Sequence, residues 1–295
     1  MSSVLDELLG LLTLESDQPD LYVGQSQDLG FRRLFGGHVL GQALVAATNT
    51  CDHRNVHSLH AYFIRSGDAY APIRYRVERI RDGKSFSVRQ VTATQHDKPI
   101  LIMSASLQVD ENGYAHQTAM PEVPPPESLV SEVERARAVA DRIPEKIRQQ
   151  FIGDRPIEIR RVDPVNPFAP IKKLPVSYAW FRAVGTMPAD RTLNQCLLAY
   201  ASDFGLLATS LRPHGITYFQ RNLMTASLDH AMWFYRDFRM DDWLLYACDS
   251  PVAANARGFS RGNIFTRDGK LVACVAQEGL VRQLDEDHET RTTQG

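Results

Sequence analysis

Asp203, Ser227 and Gln277 are polar residues set in apolar surroundings, and together they are the types needed to grip one water molecule. A carboxylate accepts a proton, a hydroxyl donates or accepts a hydrogen bond, and an amide orients a third group. Asp203 falls on the stripe Leu193, Leu197, Tyr200, Phe204 and Leu207, whose spacing is that of one helix face. An acid so placed faces packed protein, at a cost of roughly several kcal/mol unless it is hydrogen-bonded or protonated. Ser227 lies in the strand pattern Thr225 to Trp233, and Gln277 follows the small apolar run Leu271 to Ala276. Taken singly, each has an ordinary reading: an acid tying strands down, a bonded strand hydroxyl, a satisfied amide.

An internal duplication sets the three apart. The segments His57 to Phe63, Ser85-Phe86-Ser87 and Ala105-Ser106-Leu107 recur as Ser227 to Phe234, Gly258-Phe259-Ser260 and Ala276-Gln277-Glu278, about 170 residues later. On this register His57 corresponds to Ser227, His60 to His230 and Ser106 to Gln277. The first-half helix, Gly36 to Thr50, contains no Asp or Glu. Residues common to both copies read as fold, and those confined to the second copy read as candidates for chemistry.

The elements that must position these side chains follow from periodicity. Val4 to Leu14 predicts a short amphipathic helix, and Gly36-Gly37 opens a helix through Val39, Leu40, Ala43, Leu44 and Ala47 that is apolar on most sides. Strands are expected at 57–65, 72–81, 85–96 and 100–109, joined by turns at Asp82-Gly83 and Asp97-Lys98-Pro99. A Pro-rich stretch and a charged helical segment from about Glu127 to Gln150 then link the halves. The second half restarts with strands at 157–163 and 177–184 and a helix capped by Asp190 that runs to about Leu207. Further strands are expected at 216–222, 225–236, 243–249, 256–266 and 271–282, with Gln283 to Gly295 polar and frayed. The expected domains are therefore residues 1–112, a linker at 113–155, and residues 156–295 carrying the candidate site.

Composition narrows the class. With 43% hydrophobic and 23% charged residues the chain has a real core, and a net charge of −2 offers no general attraction to nucleic acid or an anionic membrane. No apolar run reaches the roughly 18 residues of a spanning helix, and the start has no signal-peptide pattern. The expectation is a soluble cytoplasmic protein, and the final Thr-Thr-Gln-Gly is no peroxisomal address. Cys51, Cys196, Cys248 and Cys274 are widely spaced, with no Cys-x-x-Cys and no zinc-finger spacing, so reduced buried thiols are expected and no metal or other cofactor.

Many ordered motifs resemble the type II acyl-CoA thioesterases, the bacterial thioesterase II family with peroxisomal relatives, over essentially the whole chain. They are Gly24-Gln-Ser-Gln-Asp-Leu-Gly30, Phe35-Gly-Gly-His-Val39, Tyr200-Ala-Ser-Asp203, Pro213-His-Gly215, Leu228-Asp-His230, Arg257-Gly-Phe259 and Gln277-Glu-Gly279. The resemblance implies an α+β double hotdog fold, two long helices each wrapped by an antiparallel sheet, assembled as a homodimer or homotetramer. It also implies hydrolysis of acyl-CoA thioesters to fatty acid and coenzyme A. Carried over position by position, the family's catalytic trio is Asp203, Ser227 and Gln277. Bacterial members often have Thr at the middle position, so Ser227 departs mildly, with a hydroxyl freer to rotate.

From this come further expectations. A thioester is electrophilic enough for direct attack by a positioned water, with Asp203 taking its proton. Backbone N–H groups at a helix start such as Gly36-Gly37 are candidates for holding the oxyanion. Phe63, Trp233 and Phe234 are candidates for lining an acyl channel, and Arg65, Lys84, Arg257 and Arg261 for the coenzyme A phosphates. Three alternatives compete. Gly258-Phe-Ser-Arg-Gly262 matches the serine-hydrolase pattern, but strand residues follow it and only His288 comes later. A hydratase using Asp229-His230 must contend with adjacent strand positions facing opposite ways. A non-catalytic acyl-CoA sensor would bind without turnover.

Overall fold

The computed structural model describes residues 3–30, 33–220 and 222–284. His288 and most of the polar C-terminal stretch lie outside the described residues. The N-terminal helix α1 (Val4–Leu11) buries Leu5 and Leu8, and a reciprocal Ser3–Asp6 capping box starts it. A short hairpin follows, β1 (Glu15–Gln18) and β2 (Leu21–Gly24), which periodicity did not foretell because β1 is exposed along its whole length.

Helix α2 (Gly36–Thr48) is buried from Gly37 to Leu44, as its apolar circumference requires. Around it run β3 (Asn55–Phe63), β4 (Ile73–Asp82), β5 (Phe86–Gln95) and β6 (Lys98–Gln108). The linker is broken: α3 (Glu132–Arg137) and α4 (Glu145–Ile152) alternate with two single 3-10 turns. The charged segment thus carries two short helices, and Pro144, which has no backbone donor, separates them as the cap of α4.

The second half contains β7 (Ile157–Arg161), β8 (Val176–Ala183), helix α5 (Arg191–Ser202), a short α6 (Ala208–Leu211), β9 (Leu223–Ser227), β10 (Asp229–Phe234), β11 (Leu244–Ala254), β12 (Arg257–Thr266) and β13 (Leu271–Gln283). Two expectations are corrected here. Residues 216–220 turn rather than extend, with the Gln220 N–H bonded to the Thr217 carbonyl at 3.2 Å. The helix expected to reach Leu207 stops at Ser202, leaving Asp203 as its C-cap, and Gly205 two residues on takes φ +78°, a left-handed conformation that ends a helix.

The strands form one 13-stranded sheet in the order β1-β2-β4-β5-β6-β3-β10-β13-β12-β11-β8-β7, with β9 also on β13. The halves meet where β3 and β10 pair antiparallel, His230 opposite Ala61. Inside the curved sheet α2 and α5 lie against each other, the start of α2 at the end of α5. A Cβ on Gly37 would sit 2.2 Å from the Tyr200 carbonyl oxygen, so only glycine allows this approach.

The structure moves the register of the duplication. His60 is exposed, its ring edge-on to Trp233, whereas His230 is completely buried. The matching rows across the sheet are Arg89–Ala105–Leu59 in the first half and Ser260–Gln277 beside His230 in the second. The equivalence of His60 with His230 and of Ser106 with Gln277 therefore does not hold, since it places outward side chains against inward ones.

Candidate active site

The site forms where α5 ends against the start of α2. As the C-cap of α5, Asp203 projects past the last helical turn, half-buried rather than enclosed, toward the first amides of α2. Its Oδ2 accepts the Gly37 N–H at 2.9 Å. That N–H has no partner within its own helix, and a helix start favours negative charge, so each answers a need of the other. The Gly37 amide is thereby occupied, which corrects the expectation that it is a free donor for an oxyanion.

Oδ1 faces the sheet. It accepts the Gln277 side-chain N–H at 2.7 Å and the Ser227 hydroxyl at 3.3 Å, and the same Gln277 nitrogen lies 3.2 Å from Ser227 Oγ. The three residues singled out in the sequence thus meet in one hydrogen-bonded knot, drawn from the end of α5, from β9 and from β13. Gln277 is 1% exposed, and its Oε1 has no hydrogen-bond partner among the described residues. Ser227 is half-buried.

A break in the second strand makes the meeting possible. Ser227 and His230 are three apart, and on a regular strand they would face opposite sides. The strand expected at 225–236 is interrupted at Leu228: β10 pairs with β13 at residues 273–276 and β9 pairs with it at 279–283. At the gap Leu228 N–H donates to the Glu278 carbonyl at 2.9 Å, and Glu278 N–H donates to Asp229 Oδ1 at 2.7 Å. The phase change turns both Ser227 and His230 toward Gln277.

His230 is a residue that the sequence reading set aside as shared structure. Its Nδ1 is 3.2 Å from the Gln277 side-chain nitrogen, and its Nε2 is 2.9 Å from Ser202 Oγ. Burial holds its pKa well below the usual value, with the Asp203 carboxylate pulling weakly the other way. Asp229 turns away to the Glu278 amide, and burial raises its carboxyl pKa. An Asp229–His230 acid–base dyad is therefore not formed.

Aromatic rings wall the site. Phe35 stacks on Phe204 at 4.5 Å between centroids, and Tyr200 meets both edge-on at 5.3 and 5.5 Å. Phe35 and Phe204 adjoin Gly36 and Asp203 in sequence, the signal by which they were to be found. Of the expected lining residues, Phe63 approaches Gly36, but Trp233 lies on the outer face with His60 and Phe234 is buried in the core. Arg257 and Arg261 are engaged with Glu278 and Asp249, and Arg65 donates to the Pro99 carbonyl. Ser260 is fully buried within β12, not at a strand-to-helix elbow, so the serine-hydrolase pattern has no exposed nucleophile. No cluster of His, Cys, Asp and Glu that could hold a metal, and no helix long and apolar enough to cross a membrane, occurs among the described residues.

Two family profiles match the chain: "Acyl-CoA thioesterase N-terminal domain" over residues 25–108 and "Acyl-CoA thioesterase" over residues 146–280. The chain is 43% identical over 283 residues to acyl-CoA thioesterase 2 of Haemophilus influenzae, covering 96% of this chain and 99% of that one. It is similar in structure to the acyl-CoA thioesterase II TesB2 of Mycobacterium marinum, with a TM-score of 0.77, 40% identity, and 95% and 98% of the two chains covered. It also shares its fold with a protein from Alicyclobacillus acidocaldarius described as having a hot dog fold, at a TM-score of 0.75 and 18% identity over 95% and 99% of the two chains. The two sheet-wrapped helices are a double hotdog, and this chain belongs to the acyl-CoA thioesterase family.

Proposed function

We propose that this chain hydrolyses acyl-CoA thioesters to a carboxylic acid and coenzyme A, using a water held by Asp203, Ser227 and Gln277. The observation that carries the reading is the shared knot at Asp203 Oδ1, with Gln277 at 2.7 Å and Ser227 at 3.3 Å, braced from behind by Gly37 on Oδ2. An acid bonded on both oxygens is fixed in direction, which is what a general base needs to meet a small nucleophile. The attacking water gives its proton to Asp203 as its oxygen bonds to the thioester carbon. Collapse of the tetrahedral adduct expels the coenzyme A thiolate, which recovers that proton. Family membership and the names of the relatives, both acyl-CoA thioesterases, support the substrate class.

The reading extends to assembly as a homodimer or homotetramer in the cytoplasm, with the exposed apolar side chains Tyr62, Ile64 and Ile102 supporting a partner surface. Sedimentation at several concentrations tests the assembly. The catalytic reading is tested by thiol release from acyl-CoA substrates of graded chain length, with wild type and Asp203→Ala. Turnover in the variant should fall by about 10²–10⁴-fold, the usual worth of a positioned base. A folded variant that keeps its rate removes Asp203 from this role.

A further inference from the structure

We propose that His230, together with Ser202, is a positioning residue for the thioesterase reaction: it fixes which way round the Gln277 amide sits, and through it the direction of the Asp203 carboxylate. This rests on the reading of Asp203, Ser227 and Gln277 given above, and it adds residues that touch neither water nor substrate.

Hydrogen counting along one chain of bonds leads to it. The Ala199 carbonyl inside α5 can only accept, and Ser202 Oγ lies 2.9 Å from it, so the Ser202 hydrogen is spent there. Ser202 Oγ, also 2.9 Å from His230 Nε2, must then accept, which puts the ring proton on Nε2. His230 Nδ1 is left as a bare acceptor, and the Gln277 side-chain nitrogen sits 3.2 Å from it. A helix carbonyl thus dictates a histidine tautomer, and the tautomer dictates an amide orientation. The phenol of Tyr246 donates to the Ser202 carbonyl at 2.9 Å and holds the end of the chain in place.

The amide needs such instruction. Gln277 Oε1 is buried with no hydrogen-bond partner among the described residues, so nothing on its oxygen side selects the orientation. Were the amide reversed, Oε1 would face Asp203 Oδ1 from the place where nitrogen now stands at 2.7 Å, and would face the Nδ1 lone pair as well. Three groups face the nitrogen, Asp203 Oδ1 at 2.7 Å with His230 Nδ1 and Ser227 Oγ each at 3.2 Å; Asp203 and His230 can only accept, which makes the observed orientation the favoured one. His230 is completely buried, and Ser202 likewise, so the tautomer is not shared with solvent. In the first half the matching position is Leu59, beside Ala105 and Arg89, where there is no amide to orient.

The test compares His230→Asn, whose Oδ1 can accept where Nδ1 does, with His230→Leu, which cannot. Both are assayed for kcat and KM on the acyl-CoA that wild type turns over fastest, with Asp203→Ala measured alongside. His230→Leu should lose about tenfold or more in kcat, the worth of one aligned hydrogen bond, while KM stays within about twofold. His230→Asn should stay within about threefold of wild-type kcat. Equal losses in both variants, a loss confined to KM, or full kcat in His230→Leu would overturn the proposal. Nitrogen-15 NMR of histidine-labelled protein gives a second readout that needs no turnover. A His230 protonated on Nε2 from pH 6 to 9 supports the relay, and one protonated on Nδ1 refutes it. Should the His230 variants fail to fold, Ser202→Ala decides: it should release the tautomer and lower kcat, and an unchanged tautomer with unchanged kcat sinks the idea. If Asp203→Ala remains active, the general-base reading fails while the NMR result still reports on the relay separately.

Discussion

Gly36→Ala places one methyl group against the carboxylate on which the proposed chemistry turns. An ideal Cβ at residue 36 would lie 2.8 Å from Asp203 Oδ2 and 3.1 Å from two ring atoms of Phe63. A carbon–oxygen contact normally needs about 3.3 Å or more, so Oδ2 must withdraw by about half an ångström. The Gly37 N–H to Oδ2 bond, now 2.9 Å, then lengthens to about 3.4 Å and weakens, and the Oδ1 contacts to Gln277 and Ser227 rotate with the carboxylate. A hydrogen bond to a charged group contributes about 1.5–3 kcal/mol, and about 1.4 kcal/mol is tenfold in rate, so kcat should fall roughly 10- to 100-fold. Folding should survive, because Asp203 and Phe63 are side chains able to yield, and alanine gains about 0.5–1 kcal/mol over glycine within a helix. Gly37→Ala is the contrasting control. Its Cβ would meet the Tyr200 backbone oxygen at 2.2 Å, which can yield only if α2 and α5 part, so that variant should lose stability as well as activity. The assay is thiol release across a range of substrate concentrations, with thermal unfolding of each variant. A Gly36→Ala enzyme with kcat within about twofold of wild type and an unchanged Tm would refute the claim that the α2 terminus aims the carboxylate.

Three more outcomes are expected. Gln277→Glu would set a second carboxyl where nitrogen now stands 2.7 Å from Asp203 Oδ1; two acids that close share one proton, so activity near pH 8 should drop about 100-fold and the pH optimum should move to the acid side. An unshifted pH profile would contradict this. Ser260→Ala removes a buried hydroxyl that has no partner among the described residues, so turnover should persist, stability should be unchanged or about 1 kcal/mol higher, and fluorophosphonates should not inactivate either form. Loss of turnover would contradict it. His38 and His230 are held neutral by burial, with pKa values below the usual 6.5, so in the window below about pH 6.5 the unfolded chain binds more protons than the folded one. Stability should therefore fall as pH drops through that window, by up to about 1.4 kcal/mol per pH unit for each histidine, and chemical denaturation at pH 7.5, 6.5 and 5.5 should show it. A flat profile would mean that the two rings take up protons as readily in the native state as in the unfolded chain.

Much of the arrangement was legible because it rests on local rules. The apolar circumference of α2, the alternation along β4 to β6 and the Asp190 cap of α5 are written in short-range patterns, and they appear within a few residues of where periodicity puts them. The knot of Asp203, Ser227 and Gln277 was legible for a different reason: polar residues inside apolar runs need partners, and the resemblance to a family supplied which ones. What escaped was set by tertiary geometry. The phase change at Leu228 has no sequence signature, because nothing in Ser227-Leu228-Asp229 marks a break; it exists because Glu278 offers its carbonyl to Leu228 and its amide to Asp229 across the sheet. The early end of α5 had a signal in Gly205, but the apolar stripe running on through Phe204 and Leu207 outweighed it in a reading by period alone.

The duplication still serves as a control once its register is set by the sheet instead of by the shared histidines. Where the second half places Ser260, Gln277 and His230 across neighbouring strands, the first half places Arg89, Ala105 and Leu59. Arg89 is 1% exposed and spends its guanidinium on the Thr50 carbonyl and hydroxyl, beyond the end of α2, and on Asp82. A cation at the carboxyl end of one helix and a carboxylate at the amino end of the same helix both satisfy the helix field. The two halves thus solve one electrostatic problem in opposite ways. The first closes its position with an arginine whose hydrogen bonds are made within the protein. The second leaves a half-buried acid braced by Gly37, and because that glycine belongs to the first-half helix, neither half can present the acid alone. The first turn of the first-half helix is therefore part of the site that the second half carries.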